Sequence, residues 1–228
     1  KNNPDPRTRY YFYRQTLDIS TDVNELPCIV ETKPGHYGAE MVFCNAGDGY
    51  WGRDNGDQDG IPPDNQLSTI FGLYPVGGKF DGDEGTLATF SDGLQGAGVH
   101  PLMQSSWVKY MMAEAALTLG TAGDPAILLQ EAVEESMDKV VNFGPGVVSA
   151  DLAATAEDIS AYVTEVLDRY NAAVTDDERL NVIVKEFYIS LFGNGVEAYN
   201  AYRRTGKPEG MQLHLSGQPG SFVRSFAY

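Results

Sequence analysis

The sequence predicts a mainly helical protein with a loop-rich front and a few short strands. Three observations carry this. Apolar residues recur at a period of 3.6 from Pro101 onward. Residues 1–99 are instead rich in Gly, Pro, Asp and Asn, with only short apolar runs such as "CIVE" and "AEMVF". Helix start and stop signals then punctuate the second half at helical spacing.

The front carries glycine-rich punctuation in "AGDGYWG", "VGGKFDGDEG" and "SDGLQGAG". Such runs read as long ordered loops with short strands between them. Loops of this length inside a compact domain are usually functional or packed on something else. In "SSWVKYMMAEAALTLG", the expected inward face is Val108, Met111, Met112, Ala115 and Leu119, with Trp107 in the core and Gly120 as C-cap. A second helix starts at Asp124-Pro125, an N-cap followed by proline at the first helical position. It turns Leu129, Val133, Met137 and Val140 inward and stops before Gly144-Pro145. The third spans about Ala156 to Tyr170 on a stripe of Ile159, Tyr162, Val163, Val166, Leu167 and Tyr170.

The fourth opens on Thr175-Asp176-Asp177-Glu178, a capping box whose acids also suit the positive end of the helix dipole. Leu180, Ile183, Val184, Phe187 and Leu191 form its buried stripe, which Gly193-Asn194-Gly195 breaks. A fifth, "VEAYNAYRRTG", carries Arg203 and Arg204 in its last turn and ends at Gly206, with Pro208 forbidding continuation. The tail reads as a hairpin or an extended strand. Short connections make the last three helices antiparallel neighbours. No internal repeat of fixed period is evident. The loop-rich segment 1–99 and the helical segment 100–228 are expected to form one domain together. The start, "KNNPDPRTRYYFYRQT", has no apolar stretch of a signal peptide, and the end, "SFVRSFAY", is apolar, so the chain reads as a fragment of a larger protein.

The chain has 228 residues, 42% of them hydrophobic, and a formal net charge of −16. That composition provides for a sizeable core. Its charge argues against nucleic acid and against direct contact with anionic membrane surfaces. No run approaches the roughly 18 apolar residues of a transmembrane helix. The two cysteines, Cys28 and Cys44, are too few for a disulfide framework and lack zinc spacing. Two buried free thiols are favoured over a small bridged loop.

The candidate chemistry centres on "WGRDNGDQDGIPPDNQ", Trp51 to Gln66, which crowds Asp54, Asp57, Asp59 and Asp64 together behind Arg53. Close carboxylates repel unless something compensates. An EF-hand register fails: with Gly60 at the sixth place, Gln66 stands where the bidentate Glu belongs and Pro62 and Pro63 fall inside the loop. A looser calcium site on Asp54, Asp57 and Asp59 stays open, as do a polar-ligand site and a turn that bonds its own backbone, the last with the larger weight. Arg53 can hold the loop by a bidentate bond to Asp54 or Asp57, or present its fork to a ligand. Rigid rings lie in the same region: Tyr37, Tyr50, Trp51, Phe71 and Tyr74. Rings beside polar groups are what a sugar needs, so the ligand set is Tyr50, Trp51, Arg53, Asp54 and Tyr74, although core packing explains any single ring as well.

Catalytic residues are not expected. Acidic pairs abound among Glu40, Asp48, Asp54, Asp57 and Asp59, as they must in an acidic chain, and abundance is not glycosidase geometry. His36, His100 and His214 are scattered, and no nucleophile elbow, P-loop or HExxH motif is present. A calcium-dependent carbohydrate-active enzyme or its accessory domain remains the alternative to a binding protein.

"EAYNAYRRTGKP", Glu197 to Pro208, closely resembles a signature of SusD/RagB-like nutrient-binding outer-membrane lipoproteins. "GRDNGDQDGIPPD", "GLYPVGGKFD", "DPRTRYYFYRQ" and "SSWVKYMMAEAAL" look like further signatures of one branch, in the expected order. The resemblance implies the C-terminal half of a mostly helical, tetratricopeptide-containing fold with long loops. It implies a lipid-anchored protein on the outer membrane surface, whose anchor lies outside this chain. It implies capture of a glycan or other nutrient for a SusC-like TonB-dependent transporter, with no catalysis and no required cofactor.

Overall fold

The computed structural model describes residues 5–17, 32–57 and 67–215. The structure is mainly helical. A short α1 (Thr8–Tyr11) runs into β1 (Phe12–Arg14), and β2 (Asn45–Gly47), β3 (Tyr50–Trp51) and β4 (Thr69–Phe71) follow. β1 pairs with β4, and β2 pairs antiparallel with β3 through a break in register between Asn45 and Gly47. Then come α2 (Ser105–Leu119), α3 (Pro125–Val141), a 3-10 turn at Pro145–Val147, α4 (Ala156–Ala172), α5 (Asp176–Ser190) and α6 (Gly195–Thr205). No helix among the described residues is long and apolar enough to cross a membrane.

The helix ends follow their local chemistry. Asp124 accepts from the N–H groups of Ala126 and Ile127, ahead of proline at the first turn. Thr175 and Glu178 form the expected capping box. Thr155 and Asp158 form a second, in which aspartate takes the usual place of Glu or Gln. Gly120 and Gly206 close α2 and α6 with φ of 66° and 69°, the left-handed region that a side chain disfavours.

The chain forms two compact units. One takes in Lys1–Tyr13, Phe71–Gly82 and Thr89–Glu209; the other takes in Arg14–Ile70, Asp83–Ala88 and Gly210–Tyr228. In the first unit α2 packs on α3 and α5, α3 on α4, and α5 on α6. Trp107, Leu129, Val133, Met137, Val166 and Ile183 are fully enclosed in its core. Each such side chain contributes about 2 kcal/mol.

The inward face of α2 differs from the expected one. Trp107, Tyr110 and Ala113 are buried, together with Ser106 and Glu114, whereas Val108, Met112 and Leu119 are exposed and Met111 packs at the margin. α2 is apolar on nearly every side, so periodicity alone selects no face. The larger rings win the core because they remove the most apolar area from water, and the Trp107 indole N–H also finds the Ser190 carbonyl at 3.1 Å. The inward stripe of α3 is as expected; that of α4 holds at Tyr162, Val163, Val166 and Tyr170, with Ile159 and Leu167 half-buried, and that of α5 holds except for Leu180, which is half-buried.

A buried ionic network ties the N-terminal segment to the helices. Arg7, fully enclosed, grips Asp5 through Nε and Nη2 at 2.9 and 2.7 Å. It also donates to Ser136 Oγ at 3.1 Å and to Glu186 Oε2 at 3.1 Å. Arg169 and the Tyr162 hydroxyl donate to the same Glu186 carboxylate, each at 3.1 Å on the Oε1 side. Burial pushes the phenols of Tyr11, Tyr110 and Tyr162 well above the ordinary tyrosine value.

Candidate functional site

The second unit holds most of the expected ligand set. β3 carries Tyr50 and Trp51, and the chain turns at once through Arg53, Asp54 and Asp57. Trp51 is buried at 6% exposure against Cys44 and Phe43, and its backbone N–H donates to Thr69 Oγ1 at 3.1 Å. Its indole N–H is buried and has no hydrogen-bond partner among the described residues. Tyr50 is half-buried, with the Arg14 guanidinium 4.8 Å from its ring centroid. Arg14 is itself fixed by the Asp48 carbonyl at 2.8 Å and by the Asp83 carboxylate.

Asp54 is buried, and two N–H donors compensate its charge. The Cys44 backbone N–H meets Oδ2 at 3.0 Å, and the Gln212 side-chain amide meets Oδ1. This matches the way a carboxylate settles into a turn, by bonding nearby backbone. Arg53 is exposed and Asp57 half-buried. Asp59 and Asp64 lie outside the described residues, and among those residues no group of three His, Cys, Asp or Glu side chains is placed to hold a metal ion.

The chain after α6 runs along this loop. The Leu215 N–H donates to the Asn55 carbonyl at 2.9 Å, and the Tyr37 hydroxyl donates to the Leu213 carbonyl at 3.0 Å. Burial, then the Asp54 charge, raises the Tyr37 phenol above its ordinary value. Cys44 is disulfide-bonded, so the expectation of free thiols fails for it. The chain's other cysteine, Cys28, lies outside the described residues. The hydrophobic burial that favours free thiols is a tendency of side chains, and it gives no account of an oxidising setting.

Tyr74 belongs to the first unit and is 1% exposed, with its hydroxyl accepting from the Gln104 amide at 2.7 Å. Its ring meets Phe143 edge-on at 5.3 Å. The structure thus brings Tyr50, Trp51, Arg53 and Asp54 together and places Tyr74 in a core of rings around Tyr10, Tyr11 and Phe80.

The first unit also carries a groove of about 300 Å³. One wall is α2 with Met111, Glu114, Ala115, Thr118 and Leu119; the other is α6 with Glu197, Asn200, Ala201 and Arg204. Phe187 of α5 lines it and is 2% exposed. Arg204 pairs with Glu114 from wall to wall. Thr118 Oγ1 donates back to the Glu114 carbonyl at 2.8 Å, so its hydroxyl serves its own helix. Arg203 lies over the Tyr199 ring at 5.6 Å. Sequence reasoning missed the groove. Its trace is the spacing of Glu197, Asn200 and Arg204 at i, i+3 and i+7 with a small Ala201 between them.

The sequence model of the SusD-like family, described as Susd and RagB outer membrane lipoprotein, matches residues 94–225. A solved chain described as "Bacteroidetes AC2a SusD-like" is 23% identical with a TM-score of 0.40, over 47% of this chain and 20% of that one. The match therefore spans about a fifth of that chain's length. No curated protein matches the sequence.

Proposed function

We propose, from the premise that this chain belongs to the SusD-like family, that it is part of a nutrient-capturing lipoprotein on the outer surface of an outer membrane. The ligand is a glycan, passed on to a SusC-like TonB-dependent transporter, and the protein binds without catalysis. The family match across residues 94–225 carries the reading. The disulfide at Cys44 supports an extracytoplasmic setting, because the cytosol keeps such thiols reduced. The exposed Arg53 fork and the half-buried Tyr50 ring, at the edge of a loop fixed through Asp54, supply a donor and a stacking face for a sugar.

Affinity electrophoresis of the mature protein through a panel of polysaccharides tests this. The expected result is retardation by at least one polysaccharide with no release of reducing sugar. A Tyr50→Ala, Arg53→Ala variant is expected to lose that retardation while melting as the parent does. Free migration through every gel by the folded protein, or release of product, overturns the reading.

A further inference from the structure

We propose that residues 212–215, the stretch shortly after α6, are a clasp that sets the loop carrying Tyr50 and Arg53, and that Gln212 and Tyr37 are positioning residues for ligand capture. The inference rests on the capture reading and names what governs that loop.

Four consecutive residues meet the loop and its flank. The Gln212 side-chain amide donates to the Val42 carbonyl at 3.1 Å and to Asp54 Oδ1. The Leu213 carbonyl accepts from the Tyr37 hydroxyl at 3.0 Å, and the His214 carbonyl from His36 Nε2 at 3.0 Å. The Leu215 N–H donates to the Asn55 carbonyl at 2.9 Å. The His214 ring lies on Gly56, where φ is 79° and a Cβ would collide with the imidazole. Gln212 and Asp54 stand 158 positions apart, so the fit is tertiary and no local turn accounts for it.

The chemistry turns on Asp54. A buried carboxylate needs donors on its oxygens. Cys44 serves Oδ2 from the loop's own side, and Gln212 serves Oδ1 from the clasp. The Asp54 carbonyl in turn accepts the Asp57 N–H at 3.1 Å, so the turn is built on the residue that the clasp holds. None of these bonds uses the Tyr50 ring or the Arg53 guanidinium, the two groups offered to a ligand. The clasp therefore holds their backbone in place without competing for the ligand.

Hydrogen exchange and affinity electrophoresis of the full chain test this together. Gln212→Glu sets a carboxylate against Asp54. It should speed exchange of the amides of residues 52–57 about tenfold or more, and weaken binding to the polysaccharide that retards the parent by a similar factor, with exchange in α2 to α6 unchanged. Adding Asp54→Asn to Gln212→Glu should restore both, because the asparagine amide donates to the glutamate while its carbonyl still accepts from Cys44. That rescue separates positioning from a general loss of fold. Should Gln212→Glu fail to fold, Tyr37→Phe, which removes only the bond to Leu213 and should act in the same direction, decides. Unchanged loop exchange, faster loop exchange with full retardation, or no rescue in a folded double variant overturns the proposal. A parent retarded by no polysaccharide removes the capture reading, and loop exchange alone then decides whether residues 212–215 hold the loop. A retarded parent whose variants keep the parent's loop exchange removes only the clasp.

Discussion

At the scale of single residues, Arg7 shows how a buried charge is made tolerable. It is fully enclosed, yet Asp5, Glu186, Ser136 and Tyr162 all accept from its guanidinium. Removing one partner of such a set leaves the others charged and dry, which costs more than the pair itself contributes. Arg7→Met should therefore lower stability by about 3 kcal/mol in urea denaturation. Arg7→Met with Glu186→Met should cost less than the two single changes added, because neither charge is then stranded. Strict additivity would show that the two residues are not coupled. None of this was legible in the sequence, where Arg7 is one of several basic residues in "DPRTRYYFYRQ". Burial and partners are properties of the fold, and no local spacing announces a contact between residues 7 and 186. The same limit applies to Asp54: nothing in the residues around it announces that the Cys44 backbone N–H and a glutamine far along the chain meet its carboxylate.

At the scale of elements, the sequence was most informative where the signal is local. The five long helices, their caps at Asp124 and Thr175, and the closing glycines at Gly120 and Gly206 follow from chemistry within a few residues. The inward face of α2 does not, because it depends on which side chains α3 and α5 offer as partners. The capping boxes give a direct check. Thr175→Ala and Thr155→Ala should each cost about 1 kcal/mol in denaturant unfolding, and an unchanged midpoint would show that the hydroxyl caps nothing. The partner acid adds a pH signature. The Thr175 and Val174 N–H groups hold the Glu178 carboxylate below its ordinary value of 4.5. A group depressed in the folded state stabilises above its unfolded value and loses that contribution as pH falls through the folded one. Glu178→Gln should therefore flatten the acid side of the melting curve while changing its alkaline side little.

At the scale of the whole molecule, the chain holds 13 tyrosines, and several are sealed in the first unit with their phenols neutral. Burial raises Tyr11, Tyr110 and Tyr162 above the ordinary value of 10.0. In the unfolded chain the same phenols ionise near that value. Above it the unfolded state binds fewer protons than the folded one, so stability falls as pH rises. Ionisation of these buried phenols should accompany loss of helical circular dichroism instead of preceding it, and tyrosinate absorbance equal to all 13 tyrosines from a protein still folded would contradict their burial. Tyr110 isolates one contribution. Its hydroxyl is enclosed, without a hydrogen-bond partner among the described residues, and its ring stacks on Phe187 at 5.5 Å. Tyr110→Phe keeps the stacked ring and removes a hydroxyl that lost water and gained nothing. At neutral pH the variant should be as stable as the parent or more stable by about 1 kcal/mol. At alkaline pH the gain should widen, because one group that favours the unfolded state is gone. Both follow from a single pair of denaturant curves, one on each side of pH 10.0. A loss of stability at neutral pH would mean that the hydroxyl is bonded, and an unchanged alkaline slope would mean that Tyr110 ionises in place.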